Sequence, residues 1–234
     1  MRTLILIPAR GQSKGIPRKN LRPLGGRPLL AYTAATALAV RRATRRVLST
    51  DDAEIAEVGR ECGLEVPFMR PPELALDDTP TLPVVQHAVA WLETRGEGVD
   101  AICLLQPTSP FRRAEDVDSC IELLETSGAD AVVTVVPVPA RHNPHWVYFR
   151  DDEGRLRLST GESQPVTRRQ DLPAAFHRDG SVYVVRRDVL MKQNSLYGSR
   201  LLSVVVDPDA TVDIDTMDDL ERAERVLAQS AGQA

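Results

Sequence analysis

The chain has 234 residues, with 29 lysines and arginines against 33 aspartates and glutamates, and a formal net charge of −4. This length fits one α/β domain with a small insertion, and the acidic balance argues against a nucleic-acid-binding domain, which is usually basic. The three cysteines, Cys62, Cys103 and Cys120, lack the spacing of a zinc site or a disulfide framework. No apolar run is long enough to span a bilayer, so we expect a cytoplasmic protein that binds neither membranes nor nucleic acid.

Apolar runs alternate with helix-like stretches along the chain. The apolar runs predict strands at Thr3–Pro8, Arg46–Ser49, Glu65–Phe68, Ala101–Leu105, Ala131–Val136, Ser181–Val185 and Leu202–Val206. The stretches between them predict helices at Pro28–Val40, Asp52–Cys62, Thr81–Glu93, Glu115–Thr126 and Met217–Ala228. Continuously apolar strands are typical of sheets covered on both faces. Their alternation with helices predicts an α/β fold with a Rossmann-like, doubly wound and mostly parallel sheet.

One segment, from about Pro139 to Gln170, interrupts this alternation. It is rich in proline, histidine, arginine and acidic residues, and Asp152-Glu153-Gly154 separates two short apolar runs in a pattern typical of a β-hairpin. We therefore predict a core of residues 1–138 and 173–234 and a hairpin-containing insertion of residues 139–172. The hairpin either folds back on its own domain or covers its aromatic side chains elsewhere.

A basic loop containing glycine follows the first predicted strand. The apolar run Leu4–Ile7 leads into a segment that contains Arg10, Lys14, Arg18 and Lys19. Gly11 and Gly15 allow backbone N–H groups to approach an anion closely, and loops at the carboxyl ends of strands bind ligands in open α/β sheets. The loop matches neither the P-loop nor the Gly-x-Gly-x-x-Gly pattern. Taken alone, it is either a phosphate-binding loop or a solvated turn.

Two aspartates, Asp213 and Asp215, follow the last predicted strand. In an extended segment this spacing places both carboxylates on one face. Mg²⁺ typically takes one or two protein carboxylates and completes its shell with water and substrate phosphates. The pair therefore predicts a divalent metal site, unless Asp215 or Thr216 serves only to cap the helix that follows.

The order of these motifs resembles the acylneuraminate cytidylyltransferase family, the CMP-sialic acid synthetases, over nearly the whole chain. The matching segments after the first loop are Ser49–Asp51, Arg70–Ala75, Leu105–Pro110, Arg169–Pro173, Asp179–Tyr183 and Asp213–Thr216. The resemblance implies a nucleotidyltransferase that joins CTP to a nonulosonic (nine-carbon, sialic-type) keto-sugar acid with Mg²⁺ or Mn²⁺, releasing pyrophosphate. It also implies a homodimer in which the insertion is a dimerisation arm that reaches the partner's active site.

The same resemblance implies roles for individual residues. Those implied to bind the nucleotide are Arg10, Gly11, Gln12, Ser13, Lys14, Lys19, Asn20, Arg70, Thr79, Pro80 and Thr81. Those implied to bind the sugar acid are Gln106, Arg169, Tyr183 and Tyr197, with Arg168 an alternative to Arg169 for its carboxylate. The implied metal ligands are Asp213 and Asp215. Arg10, Lys14 and Lys19 would stabilise the departing pyrophosphate. The general base is left open between Asp213 and a metal ion that lowers the pKa of the sugar hydroxyl.

Two other functions fit parts of the sequence. A cytidylyltransferase for Kdo or a phosphonate would share the fold, but Ser13-Lys14-Gly15 followed by Lys19-Asn20 favours the sialic branch. Within that branch the acid is left open between N-acetylneuraminic, legionaminic, pseudaminic and other nonulosonic acids. A nucleotide-binding regulatory protein without turnover would not need both the basic loop and the acidic pair.

Overall fold

The computed structural model describes residues 1–208 and 211–231. The strands are β1 (Thr3–Pro8), β2 (Pro23–Leu24), β3 (Arg27–Pro28), β4 (Arg45–Ser49), β5 (Ala101–Leu104), β6 (Ala131–Pro137), β7 (Tyr148–Arg150), β8 (Leu156–Leu158), β9 (Phe176–Arg186) and β10 (Leu201–Val205). The α-helices are α1 (Leu29–Ala39), α2 (Ala53–Glu61), α3 (Thr81–Glu93), α4 (Ala114–Ser127), α5 (Arg187–Lys192) and α6 (Met217–Ala231). These elements confirm the predicted α/β class.

A six-stranded sheet with the order β10-β6-β9-β5-β1-β4 forms the centre of the fold. Strand β9 pairs antiparallel with both of its neighbours, whereas the other three pairings are parallel. Five strands therefore run one way and β9 runs the other, which confirms a mostly parallel sheet. An antiparallel neighbour needs no helical crossover. The chain can therefore leave β6, form the segment of residues 139–172 and return as β9, which lies next to β6.

Strand β1 shows how helices cover both faces of this sheet. Ile5 and Ile7 pack into one core cluster with α1, α2 and α4, whereas Leu4 and Leu6 pack into another with α3 and α5. Successive side chains of a strand point to opposite faces, so a strand between two helical layers is apolar at every position. Within residues 1–208 and 211–231, no helix has both the length and the apolar character needed to cross a bilayer.

The segment predicted as a strand at Glu65–Phe68 forms only a single parallel bridge, between Val47 and Glu65. The Leu48 amide donates to the Glu65 carbonyl at 2.8 Å, and the pairing ends there. Pro67 has no N–H to continue a ladder. Proline therefore limits this segment to one bridge at the sheet edge, although its residues are apolar enough for a strand.

The predicted hairpin is present as an antiparallel pair formed by β7 and β8, separate from the central sheet. Its turn contains Gly154 at φ 85°, a conformation that glycine adopts without strain. Phe149 and Leu156 are 58% and 62% exposed, so the hairpin leaves apolar side chains in solvent. The insertion has contacts of its own, since the Trp146 indole donates to the Val166 carbonyl at 2.5 Å.

Candidate active site

A cleft of about 300 Å³ lies beside the carboxyl ends of β1 and β5, and we call it the β1–β5 cleft. Five of its lining residues come from the basic loop, namely Arg10, Gln12, Ser13, Lys19 and Asn20. Four more predicted site residues line it from other segments, namely Arg70, Thr79, Thr81 and Gln106. Parallel strands end at the same sheet edge, so loops far apart in sequence meet there.

The amino-terminal loop and the carboxy-terminal acidic segment meet at this cleft. The Lys19 ammonium donates to the Asp215 carboxylate and to the Ile214 carbonyl, each at 2.9 Å. The Lys19 side chain is only 14% exposed, so it is held between the two segments. The Ile214 amide donates to the Thr108 carbonyl at 2.8 Å, and a Cβ at Gly15 would overlap the Asp215 carbonyl oxygen. Glycine at position 15 therefore permits the close approach.

Helix α6 is capped without the Asp215 side chain. The Asp219 carboxylate accepts from the Thr216 amide at 2.8 Å, and the Asp219 amide donates back to the Thr216 hydroxyl at 3.3 Å. This reciprocal arrangement is a capping box. The Asp215 carboxylate pairs instead with Lys19, so its position is explained by this ion pair and not by capping of the helix.

Asp213 is exposed, and its carboxylate faces a second, open cavity of about 560 Å³ that is also lined by Arg178, Asp179 and Tyr183. Burial raises the pKa of Asp213, while a hydrogen bond from the Thr108 side chain opposes that rise. The neighbouring negative charge of Asp215 raises the pKa further, and the Lys19 ammonium lowers it.

The acidic pair fits a divalent metal by the chemistry of its donors. Asp213 and Asp215 offer carboxylate oxygens, which Mg²⁺ prefers, and Mg²⁺ usually binds only one or two of them. In the part of the chain that the structure describes, no group of three or more histidine, cysteine, aspartate or glutamate side chains is placed to hold a metal ion. If the pair holds the ion, water and substrate oxygens would complete the shell.

Arg10 and Lys14 share one carboxylate. The Arg10 guanidinium lies 3.1 Å from one oxygen of Asp77 and also donates to the Leu76 carbonyl at 2.8 Å. The Lys14 ammonium lies 3.3 Å from the other Asp77 oxygen and is 77% exposed. Two of the three predicted catalytic cations are thus paired with an acidic residue in the β1–β5 cleft.

Other predicted nucleotide-binding residues shape the loop. The Gly11 amide donates to the Asp51 carboxylate at 3.0 Å, and the Asn20 side chain donates to the Arg10 carbonyl at 2.9 Å. Arg70 is 5% exposed and donates to the Ser49 hydroxyl at 3.0 Å. Burial lowers the pKa of Arg70 to about 10, so the guanidinium stays charged at neutral pH.

Tyr183 and Tyr197 lie together next to the open cavity. Their ring centroids are 6.2 Å apart in an edge-on arrangement, and the Arg178 guanidinium lies 4.9 Å from the Tyr197 ring centre. Arg178 also hydrogen bonds to the Tyr197 hydroxyl. The structure therefore brings both predicted sugar-site tyrosines to the side of the molecule that holds Asp213.

Arg169 lies elsewhere. It borders a separate pocket within the insertion, with Arg141 and Trp146, and lines neither the β1–β5 cleft nor the open cavity. Its neighbour Arg168 pairs with Asp171 at 2.6 Å. Within one chain, neither of the two arginines considered for the sugar carboxylate is placed beside Tyr183.

Two arginines at the site were missed by sequence reasoning. Arg112 is 7% exposed and donates to the Gln106 and Ser181 carbonyls, each at 2.6 Å, which ties the loop after β5 to β9. Burial lowers the pKa of Arg112 to about 10. The second is Arg178. Arg112 lies two residues after the motif Gln106–Pro110, and Arg178 directly precedes the motif Asp179–Tyr183. Their closeness to these motifs in the sequence was the signal that could have indicated a place at the site.

Comparison with known proteins decides the family. The family described as "Cytidylyltransferase" matches residues 4–233. The chain belongs to the cytidylyltransferase family. Its relatives include the CMP-N,N'-diacetyllegionaminic acid synthase of Legionella pneumophila, 31% identical over 97% of each chain. They also include the pseudaminic acid cytidylyltransferase of Campylobacter jejuni, 30% identical over 95% of each chain.

A solved structure shares the fold of this cytidylyltransferase. It is that of CMP:2-keto-3-deoxy-manno-octonic acid synthetase complexed with CTP, with a TM-score of 0.74 at 19% identity, covering 98% of this chain and 100% of that one. At this identity the likeness shows the architecture. Together with the family match, it confirms the Rossmann-like α/β fold and the nucleotidyltransferase class expected from the sequence.

The contact at Gly15 generates a test of the site. We expect Gly15→Ala to lower cytidylyltransferase activity, measured as pyrophosphate release, by about tenfold or more, since small misplacements of reacting groups are costly. The melting temperature should change little, because the contact lies at the rim of the sheet. Gly98→Ala is the matched control, since its Cβ would meet only the flexible end of Arg2. Full activity in Gly15→Ala would contradict the proposed convergence of the two segments.

Proposed function

We propose that the enzyme transfers the CMP group of CTP to a nonulosonic acid, giving the CMP-sugar and pyrophosphate. The observation that carries this proposal is the contact of Lys19 with Asp215, because it joins the cationic loop that lines the β1–β5 cleft to the segment that holds both carboxylates. The proposal is further supported by the family and by two relatives named for legionaminic and pseudaminic acids.

In this reaction the anomeric hydroxyl of the sugar acid attacks the α-phosphorus of CTP. A new O–P bond forms, and the bond between the α-phosphorus and the bridging oxygen breaks, so that pyrophosphate leaves with the electron pair. Negative charge therefore grows on the departing phosphates. Lys19, Lys14 and Arg10 are the cations we assign to that charge, since fixed cations in a partly closed cleft stabilise a transition state more than water does.

Asp213 and Asp215 are the residues we assign to Mg²⁺ or Mn²⁺. When bound, the ion supplies positive charge against the phosphate oxygens. Lys19 holds the Asp215 carboxylate in position by its bond at 2.9 Å. We also assign to Asp213 the acceptance of the hydroxyl proton, because its carboxylate faces the cavity beside Tyr183 and its pKa is raised by burial.

The remaining predicted residues divide between the two substrates. Arg70 and the segment Thr79-Pro80-Thr81 are assigned to the cytidine, since three of these four residues line the β1–β5 cleft and proline stiffens the segment. Gln106, Tyr183 and Tyr197 are assigned to the sugar acid. Their polar groups and aromatic faces suit a hydroxyl-rich ligand with apolar N-acyl groups.

We propose that the enzyme is a homodimer and that Arg169 serves the partner's site. The support is that Arg169 lies in the insertion, away from the cleft of its own chain, and that Phe149 and Leu156 of the hairpin are exposed.

The three unpaired cysteines fit the cytoplasmic location predicted from the sequence, where thiols stay reduced.

A substrate screen tests the reaction. We expect pyrophosphate release from CTP with at least one of N-acetylneuraminic, legionaminic and pseudaminic acids, and much slower release with ATP, GTP or UTP. Kdo and a phosphonate serve as competing acceptors in the same assay. Turnover with Kdo alone would reassign the acceptor, and no release with any pair would favour a binding protein without turnover.

Substitution of the acidic pair tests the metal assignment. We expect Asp213→Asn and Asp215→Asn each to lower kcat by about 100-fold or more, because each replaces a negatively charged ligand of the proposed ion with a neutral amide. Melting temperatures should stay close to that of the wild type, since both aspartates are exposed and exposed charges stabilise little. Asp218→Asn, in the first turn of α6, is the control and should remain active. Near-normal turnover in either of the first two variants would refute the assignment.

Sedimentation velocity tests the dimer. We expect the wild-type enzyme to sediment as a dimer, and the double variant Phe149→Gln/Leu156→Gln to shift toward monomer, because polar side chains remove the apolar area that a partner would cover. Leu38→Gln changes a side chain that is 47% exposed on α1 and should leave the dimer intact. A monomeric wild-type protein at micromolar concentration would rule out this assembly.

A further inference from the structure

The β1–β5 cleft contains a carboxylate among its cations. Asp77 lines this cleft, and each of its two oxygens contacts a different cation of the first loop. One oxygen lies 3.1 Å from the Arg10 guanidinium, and the other lies 3.3 Å from the Lys14 ammonium. A second bond, from Arg10 to the Leu76 carbonyl at 2.8 Å, holds the guanidinium against the same turn.

A tight turn presents Asp77 in this position. The Thr79 amide donates to the Leu76 carbonyl at 3.2 Å, which places Asp77 and Asp78 at the two central positions of the turn. The Thr79 hydroxyl donates to the Glu73 carbonyl at 3.3 Å and braces the turn from its other side. Within the described part of the chain, the Asp78 side chain forms no ion pair, whereas Asp77 forms two.

Asp77 contacts two cations of the basic loop but does not contact Lys19. Arg10 and Lys14 contact it, while Lys19 is bonded to Ile214 and Asp215. Phosphate oxygens that bind Arg10 and Lys14 therefore compete with the Asp77 carboxylate for the same N–H groups. The side chain of Asp77 is 34% exposed, so it lies within reach of an incoming anion in the cleft.

We propose that Asp77 is a specificity-determining residue, an internal anion that competes with small phosphates, above all with pyrophosphate, for Arg10 and Lys14. This inference rests on the proposed function. A nucleoside triphosphate keeps its contacts to the base pocket whether or not Asp77 yields. Pyrophosphate has no base and depends on the cations alone, so competition by Asp77 for two of those cations weakens its binding most. The residue thus favours release of the product over its rebinding.

Calorimetric titration with inorganic pyrophosphate, in buffer without divalent metal, tests the proposal. We expect Asp77→Asn to bind pyrophosphate about three- to tenfold more tightly than the wild type, the range expected for removing two partly exposed ion pairs. Asparagine keeps the size of the side chain and its place in the turn. The gain should shrink as salt is raised, since partly exposed charges are screened.

Asp78→Asn is the matched control, because it removes the same charge from the same turn without removing an ion pair. Its affinity for pyrophosphate should stay within about twofold of the wild type. Equal or weaker binding by Asp77→Asn than by Asp78→Asn would overturn the proposal, and so would the absence of binding by every variant. If no sugar acid and nucleotide pair released pyrophosphate, the proposed function would fail, while this titration would still decide the role of Asp77.

Discussion

The site depends on the pairing of Lys19 with the chain segment that holds the two aspartates. Lys19 and Asp215 are 196 positions apart in sequence. The Lys19 ammonium donates to the Asp215 carboxylate and to the Ile214 carbonyl. Burial raises the pKa of Asp213, repulsion from Asp215 raises it further, and Lys19 offsets part of that repulsion. Gly15 allows the loop backbone to approach closely enough for this pairing. A side chain at position 15 would separate the cations from the carboxylates.

The reversed direction of β9 explains why the candidate sugar residues lie at the same edge. In a parallel strand, only the carboxyl end would face the ligand side of the sheet. Because β9 runs the other way, its amino-terminal end lies beside the carboxyl end of β6, where His177 is opposite Val136. Farther along β9, Tyr183 lies opposite Leu104, the last residue of β5. The insertion before β9 returns the chain to this edge. Arg112 then joins the β5 loop to β9 through two carbonyl groups.

Sequence reasoning was most successful where a pattern has a local cause. The apolar run of β1 and the turn at Gly154 follow from burial on both faces and from backbone freedom, and both are present. The segment at Glu65–Phe68 was predicted wrongly as a strand, because the apolar pattern outweighed the missing N–H of Pro67. The roles assigned to individual residues of the cleft remain predictions, although their positions are now known.

The sequence by itself determined the family, the sheet of alternating strands and helices, and the two charged motifs at its ends, because periodicity and residue order are written along the chain. Only the tertiary structure decided which charges meet. It paired Lys19 with Asp215, paired Arg10 and Lys14 with Asp77, and placed Arg169 in the insertion, away from Tyr183. Coulombic interactions depend on separation in space and on burial, and neither can be read from spacing in sequence.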